Sequence, residues 1–328
     1  MLDTILGALL PMVVTFLLGY MAAWRHDFGS KDASTLNRMV LRYAVPLALF
    51  AGTVMTSRAV LGQDVPLIVT LCVAIIGFYC VVFLISRFIF RMQMSTSALA
   101  ALTASAPAVP FVGPAVLGDL LGRLSAIPIA AASLVINLTV VPITILLLSL
   151  DSTERGQQNN TPTRGKQENS SSPRSDAAIF AGKIAETLKE PMVWAPILAF
   201  TVVLSGFRIP QLFVHSLSLL GHASGGVALF ACGIVLASGK IIVNQNVLLF
   251  VFLKNIMQPA LVLGGLRWIG YGNPVVSEAV LTTAIPTMPI VIMFALRYGI
   301  AEDEAASSVF LSIMGSLVTM GIFIALTH

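Results

Sequence analysis

Residues 100–112 read AALTASAPAVPFV, and residues 279–291 read AVLTTAIPTMPIV. Set 179 positions apart, the two stretches share Ala100, Leu102, Thr103, Pro107, Pro110 and Val112 with Ala279, Leu281, Thr282, Pro286, Pro289 and Val291. Each carries Pro-x-x-Pro in the middle of an apolar run. Proline there removes a backbone donor and clashes with the preceding turn. The freed carbonyls are costly in hydrocarbon unless they are buried in protein or line a wet cavity. A matched pair of such breaks therefore predicts two interrupted helices that cross. A second echo, Ala48-Leu49-Phe50-Ala51 and Ala228-Leu229-Phe230-Ala231, lies 180 positions apart and supports an internal repeat.

The surroundings are those of a membrane protein. The chain has 328 residues, 57% hydrophobic and only 10% charged, with a mean hydropathy of +0.91. A soluble domain carries about 25% charged residues, so a bilayer must be the solvent for most of this surface. Ten runs are long and apolar enough to be spans: 2–24, 37–56, 65–89, 96–121, 125–150, 191–207, 211–238, 246–269, 274–297 and 301–327. Asp3 precedes the first run, while Arg25 and Lys31 follow it. That reads as a span with its N-terminus outside rather than a signal peptide. This orientation puts fourteen Lys and Arg residues, from Arg25 to Arg297, on the cytoplasmic side. Only Arg58, Arg123, Arg208 and Arg267 lie outside, and Lys254 remains within a span. The asymmetry is that of the positive-inside rule, and both termini fall outside.

Residues 151–176 are polar and rich in Ser, Asn, Gln and Pro, a composition that predicts a cytoplasmic linker. Behind them, residues 177–190 space Ile179, Phe180, Ile184 and Leu188 among charges, as in a short interfacial helix. The expected organisation is a first five-span repeat over 1–150, the cytoplasmic segment 151–190 and a second repeat over 191–328. Five is odd, so the second repeat enters the membrane from the opposite side. The fold class is an all-α polytopic membrane protein: ten transmembrane helices, two inverted five-helix repeats, and broken crossover helices 4 and 9.

Such a crossover points to a ligand. Pro110 and Pro289 suit the first position of a second half-helix. Those half-helices would aim N–H groups and positive dipole ends at the midplane, where an anionic group fits. Candidate substrate-binding residues are Ser105, Pro107, Ala108, Val109, Pro110, Thr283, Pro286, Thr287, Met288 and Pro289, with Thr103 and Thr282 beside them. Lys254 joins them as a cation where charge is expensive. It lies about 12 Å from the cytoplasmic end of its span at the helical rise, so its stem can also snorkel. Gln258, one turn on, shares its face. Asn137 and His222 are further polar support. No carboxylate falls at a span centre, which argues against a carboxylate-based coupling device.

Several short motifs together resemble the auxin efflux carrier family. They are Leu36-Asn37-Arg38-Met39-Val40 with Ala44-Val45-Pro46-Leu47, Lys189-Glu190-Pro191, Leu253-Lys254 with Pro259, and Ala284-Ile285-Pro286 followed by Phe294-Ala295, Tyr298, Ser307, Ser308 and Thr319. The resemblance covers nearly the whole chain outside 151–176 and is to the bacterial branch, which includes malonate and malate carriers. It implies a scaffold portion and a transport portion that move against each other. The resemblance further implies that a small organic anion would bind where helices 4 and 9 cross, in a bacterial inner membrane, with a homodimer as the assembly. Many members carry Asn at the fourth-helix crossover. Here Ala106-Pro107-Ala108-Val109-Pro110 has none, so recognition would rest on backbone N–H groups and hydroxyls.

Other classes fit less well. An intramembrane enzyme needs a nucleophile with its base, or metal ligands at helical spacing, and His215 and His222 have no carboxylate partners. Cys72, Cys80 and Cys232 lie in apolar runs without ligand spacing. No cofactor or metal is implied. The basic residues are scattered, without the clustering that nucleic acid requires. A passive channel or a membrane receptor is the remaining alternative to a carrier.

Overall fold

The computed structural model describes residues 2–55, 64–159, 182, 189–207 and 209–327. Most of the interfacial helix expected over 177–190 and most of the linker lie outside the described residues, as do Arg58 and Arg208. Among the described residues the chain is all helical, and its one β-bridge is isolated. In chain order the helices are α1 (Leu2–Trp24), α2 (30–54), α3 (Val65–Ile89), α4a (Met94–Ser105), α4b (Val109–Leu121) and α5 (126–159). They continue with α6 (Pro191–Ser205), α7 (Gln211–Ser238), α8 (Gln245–Ile269), α9a (Val275–Ala284), α9b (Ile290–Tyr298) and α10 (Glu302–Thr327).

Among the described residues, five uninterrupted helical stretches are long and apolar enough to cross a membrane alone: Val65–Ile89, Val109–Asp151, Gln211–Ser238, Gln245–Ile269 and Glu302–Thr327. The second of these runs through α4b and α5, joined by a 3₁₀ turn at Gly122–Ser125. Their outer faces present large apolar side chains such as Val73, Leu219, Leu261 and Val318, as lipid-facing surfaces do. The helix α2 begins at residue 30, seven positions before the apolar run. Its first part, Ser30–Met39, is polar and starts with Asp32 accepting from Gly29 N at 2.8 Å, which satisfies a donor at the helix start.

Proline shapes the helix interiors. Wide π-turns at Val40–Ala44, Ile136–Val140 and Leu253–Met257 each end two residues before a proline: Pro46, Pro142 and Pro259. Each turn contains the carbonyl four residues before its proline, the group the ring would strike in a regular helix. Elsewhere, α3 and α8 match position for position. They start at 65 and 245 and end at 89 and 269, both pairs 180 apart. Asp64 and Asn244 cap them by accepting from Leu67 N and Val247 N. Both carry a π-turn at the same place, Val73–Gly77 and Leu253–Met257.

The helices sort into two groups. In one, α7 packs on α1 and α2, and α6 packs on α2. The α1–α7 contact is backbone to backbone. A Cβ built on Gly19 would lie 2.0 Å from the Phe230 carbonyl oxygen, and one on Gly233 would lie 2.2 Å from that of Phe16. In the other group, α3 and α5 pack on α4a, and α8 and α10 pack on α9a. The groups meet where α1 touches α4b and α10, and where α9b touches α2 and α7.

Candidate functional site

The breaks fall where the prolines require them. The helix α4a stops at Ser105 and α4b starts at Val109, while α9a stops at Ala284 and α9b starts at Ile290. Pro110 is therefore the second residue of its half-helix, and Pro289 is the residue that precedes the other. Each differs by one place from the first position expected of it. Between the half-helices the two breaks run antiparallel, with Pro107 opposite Thr287. Ala108 N donates to Pro286 O at 2.9 Å, and Met288 N donates to Ala106 O at 3.0 Å. Each break thus supplies a donor and an acceptor to the other.

Side chains satisfy the carbonyls left at the ends of α4a and α9a. The Thr287 hydroxyl donates to Thr103 O at 2.8 Å, and Gln258 Nε2 donates to Ser105 O at 2.9 Å and to Ala74 O at 3.1 Å. Lys254 Nζ donates to Thr283 O at 2.7 Å and to Gln258 Oε1 at 2.8 Å. Lys254 is fully buried. Its head turns inward to the crossover rather than outward to the bilayer surface. An ammonium against the carbonyl end of α9a is favoured by the negative end of that half-helix dipole.

Two partners were not foreseen from the sequence. Thr287 N donates to Ser312 Oγ at 2.9 Å, and Ser312 Oγ lies 2.7 Å from Asn255 Oδ1. Asn255 Nδ2 in turn donates to Ser312 O at 2.8 Å. The readable signal was a polar residue beside Lys254 in an apolar run, and Ser308, Ser312 and Ser316 at four-residue spacing on α10. Thr103, Ser105, Thr282 and Thr283 donate their hydroxyls to carbonyls three or four residues back. These are hydroxyls spent on the backbone.

A cavity of about 610 Å³ opens beside the crossover, between the two groups. Its walls are α1, α2, α7, α5 and the first turns of α4b. Of the candidate residues, Pro110 and Asn137 line it. Ser105, Ala108, Val109, Thr283, Thr287, Met288 and Lys254 are buried behind the wall. Pro107, Pro286 and Pro289 belong to the same buried layer. Asn137 sits in the π-turn of α5, 3% exposed, and its Oδ1 has no hydrogen-bond partner among the described residues. His222 lies on α7, and its side chain is outside what is described. Among the described residues no group of three or more His, Cys, Asp and Glu is placed to hold a metal.

The comparison with known proteins fits this arrangement. A family model described as membrane transport protein matches residues 4–324. The chain belongs to this membrane transport protein family, the auxin efflux carriers. It is 31% identical over 327 residues to the uncharacterized transporter YfdV of Escherichia coli strain K12, covering 99% of this chain and 98% of that protein. It is 21% identical over 318 residues to a putative malonate transporter of Rhizobium meliloti strain 1021, covering 96% and 93%. The family is one of membrane transporters, not of enzymes, and this member is a multi-pass membrane protein.

The crossover makes a local prediction. Thr287→Val keeps the side-chain volume and removes the donor to Thr103 O. A buried acceptor left without its partner costs about 1–3 kcal/mol. The variant is expected to melt several degrees below the parent in detergent, which differential scanning fluorimetry measures.

Proposed function

We propose that this protein is a secondary transporter of small organic anions, mono- or dicarboxylates such as malonate or malate, working by alternating access at the α4/α9 crossover. The observation that carries the reading is the crossover itself. Two broken helices exchange backbone hydrogen bonds, with a buried lysine beside them. A cavity reaches the start of α4b along the seam between two helix groups. The positional match of α3 with α8 supports two inverted five-helix repeats, 1–150 and 191–328, joined by a cytoplasmic segment 151–190. Such repeats can exchange conformations, which gives outward- and inward-facing states of one fold. The resemblance to the bacterial branch supports an inner membrane, and the charge asymmetry supports periplasmic termini.

In this reading the anion enters the cavity and meets the start of α4b at Pro110–Val112, where the positive end of the helix dipole favours negative charge. Asn137 supplies an amide on the facing wall. Lys254 and Gln258 stand one layer behind and keep the positive potential in place. Thr287, Met288 and Pro289 offer the matching half-helix to the opposite side when the groups rock. The name of the Rhizobium relative supports a dicarboxylate.

The substrate class is tested by thermal stabilisation of the purified protein. A ligand that binds only the folded state at 100 times its dissociation constant adds about 2.7 kcal/mol. Malonate or malate is expected to raise Tm in a saturable way, and choline and neutral sugars are not. Stabilisation by cations or neutral molecules alone would overturn the anion assignment.

A further inference from the structure

Two of the motifs that carry the family resemblance take no part in the crossover: Leu36–Val40 and Lys189–Pro191. The fold brings them together. At the other end of the helices, α2, the start of α6 and the end of α9b enclose a second cavity of about 660 Å³. Its charged wall consists of Arg38, Arg42, Lys189 and Arg297 against one carboxylate, Glu190. The preference of basic residues for one side of a membrane explains their sign. It does not explain their convergence on a recess between the two helix groups.

A second observation also points to a ligand. Asn37 lines the same cavity at 4% exposure, and its Oδ1 has no hydrogen-bond partner among the described residues. A buried polar atom without a partner is uncommon and calls for one. Which end of the amide faces the space is an assignment, and turned the other way it offers an N–H donor.

The third observation is how the cations are balanced. Arg297 donates to Glu190 Oε1. Glu190 is the residue that precedes α6, and Arg297 lies in the last turn of α9b. This ion pair therefore ties one helix group to the other. Among the described residues, three cations in the recess are left without a carboxylate of their own in its lining. Low-dielectric walls focus such a field, and a guanidinium fork suits a two-oxygen anion.

We propose that this cavity is a second oxyanion site, where an arriving anion displaces Glu190 from Arg297 and so parts α6 from α9b. That the anion is the transported carboxylate rests on the function proposed above; the site does not. A phospholipid headgroup presents the same oxyanion chemistry, and the test separates the two.

The full chain is placed in nanodiscs of neutral phosphatidylcholine. Malonate and inorganic sulfate are titrated at low salt, with Tm as the readout, in the Lys254→Met background to weaken the contribution of the crossover. Glu190→Gln keeps the packing and removes the competitor, so it is expected to tighten apparent oxyanion binding about tenfold. Arg297→Gln is expected to weaken it by a similar factor. Equal apparent affinities for both variants and the parent would overturn the proposal. An Arg297-dependent stabilisation by added phosphatidylglycerol with no response to either free anion would keep the oxyanion site and assign its occupant to a lipid headgroup. Because Glu190→Gln is read as a gain, a poorly folded Arg297→Gln does not blunt the test. Absence of malonate transport by the parent protein, with this order of affinities intact, would count against the proposed function and leave the site standing.

Discussion

Lys254→Met is expected to give a folded, membrane-inserted protein whose malonate uptake is slower by at least about tenfold, the equivalent of one charge-assisted hydrogen bond. Methionine nearly matches the lysine stem in length and volume, and the site is sealed, so packing is preserved. The ammonium has no carboxylate within ion-pair distance among the described residues; its partners are Thr283 O and Gln258 Oε1. Removing it relieves the desolvation of a buried charge and forfeits two charge-assisted hydrogen bonds. Those contributions oppose each other, so Tm is expected to move little. Transport does not share that cancellation, because the positive potential at the end of α9a disappears. Fluorimetry and uptake on one preparation check both halves. A well-folded variant with full uptake would make the ammonium a structural cap only.

Gly19→Ala is expected to cost about 3 kcal/mol or more, the upper range for overpacking, and to remove most of the folded protein from the membrane fraction. The added methyl would sit 2.0 Å from the Phe230 carbonyl oxygen and 2.9 Å from its Cα. Backbone does not move aside as a side chain does, so α1 and α7 must separate. Close approach through small residues is how helices associate in lipid, where no hydrophobic force drives them together. Gly264→Ala on α8 is the control. Nothing lies within 4 Å of its added Cβ, and alanine is the better helix former by about 1 kcal/mol. Its Tm is expected to stay level or rise slightly. Equal Tm values for the two variants would contradict the tight α1–α7 seam.

The breaks in α4 and α9 were legible because proline acts through local covalent geometry, and two Pro-x-x-Pro pairs in apolar runs leave few alternatives. The apolar helices were legible for a similar reason: an apolar stretch of sufficient length is a property of the chain alone. What the sequence did not reveal depends on distant partners. Ser312 and Asn255 belong to helices α10 and α8, and only folding places them on Thr287 N. Lys254 lay close enough to the end of its span to reach water, and the inward choice comes from the Thr283 carbonyl, 29 residues away. The π-turns before Pro46, Pro142 and Pro259 make room for the ring, yet apolar periodicity does not distinguish them from an ordinary kink. The start of α2 was missed because Ser30–Leu36 is polar, and helix formation there rests on capping rather than apolar content. The recess at the other end escaped notice because its residues come from three helices and were read separately, as charges that set topology.

The most direct test of alternating transport is counterflow. Proteoliposomes loaded with unlabelled malonate are diluted into a trace of labelled malonate. A carrier is expected to accumulate label transiently above its equilibrium level, with a rate that saturates as malonate rises and falls in Lys254→Met. A flux that stays linear with concentration and shows no overshoot, from protein that is folded by its Tm, would contradict the account and identify a passive pore.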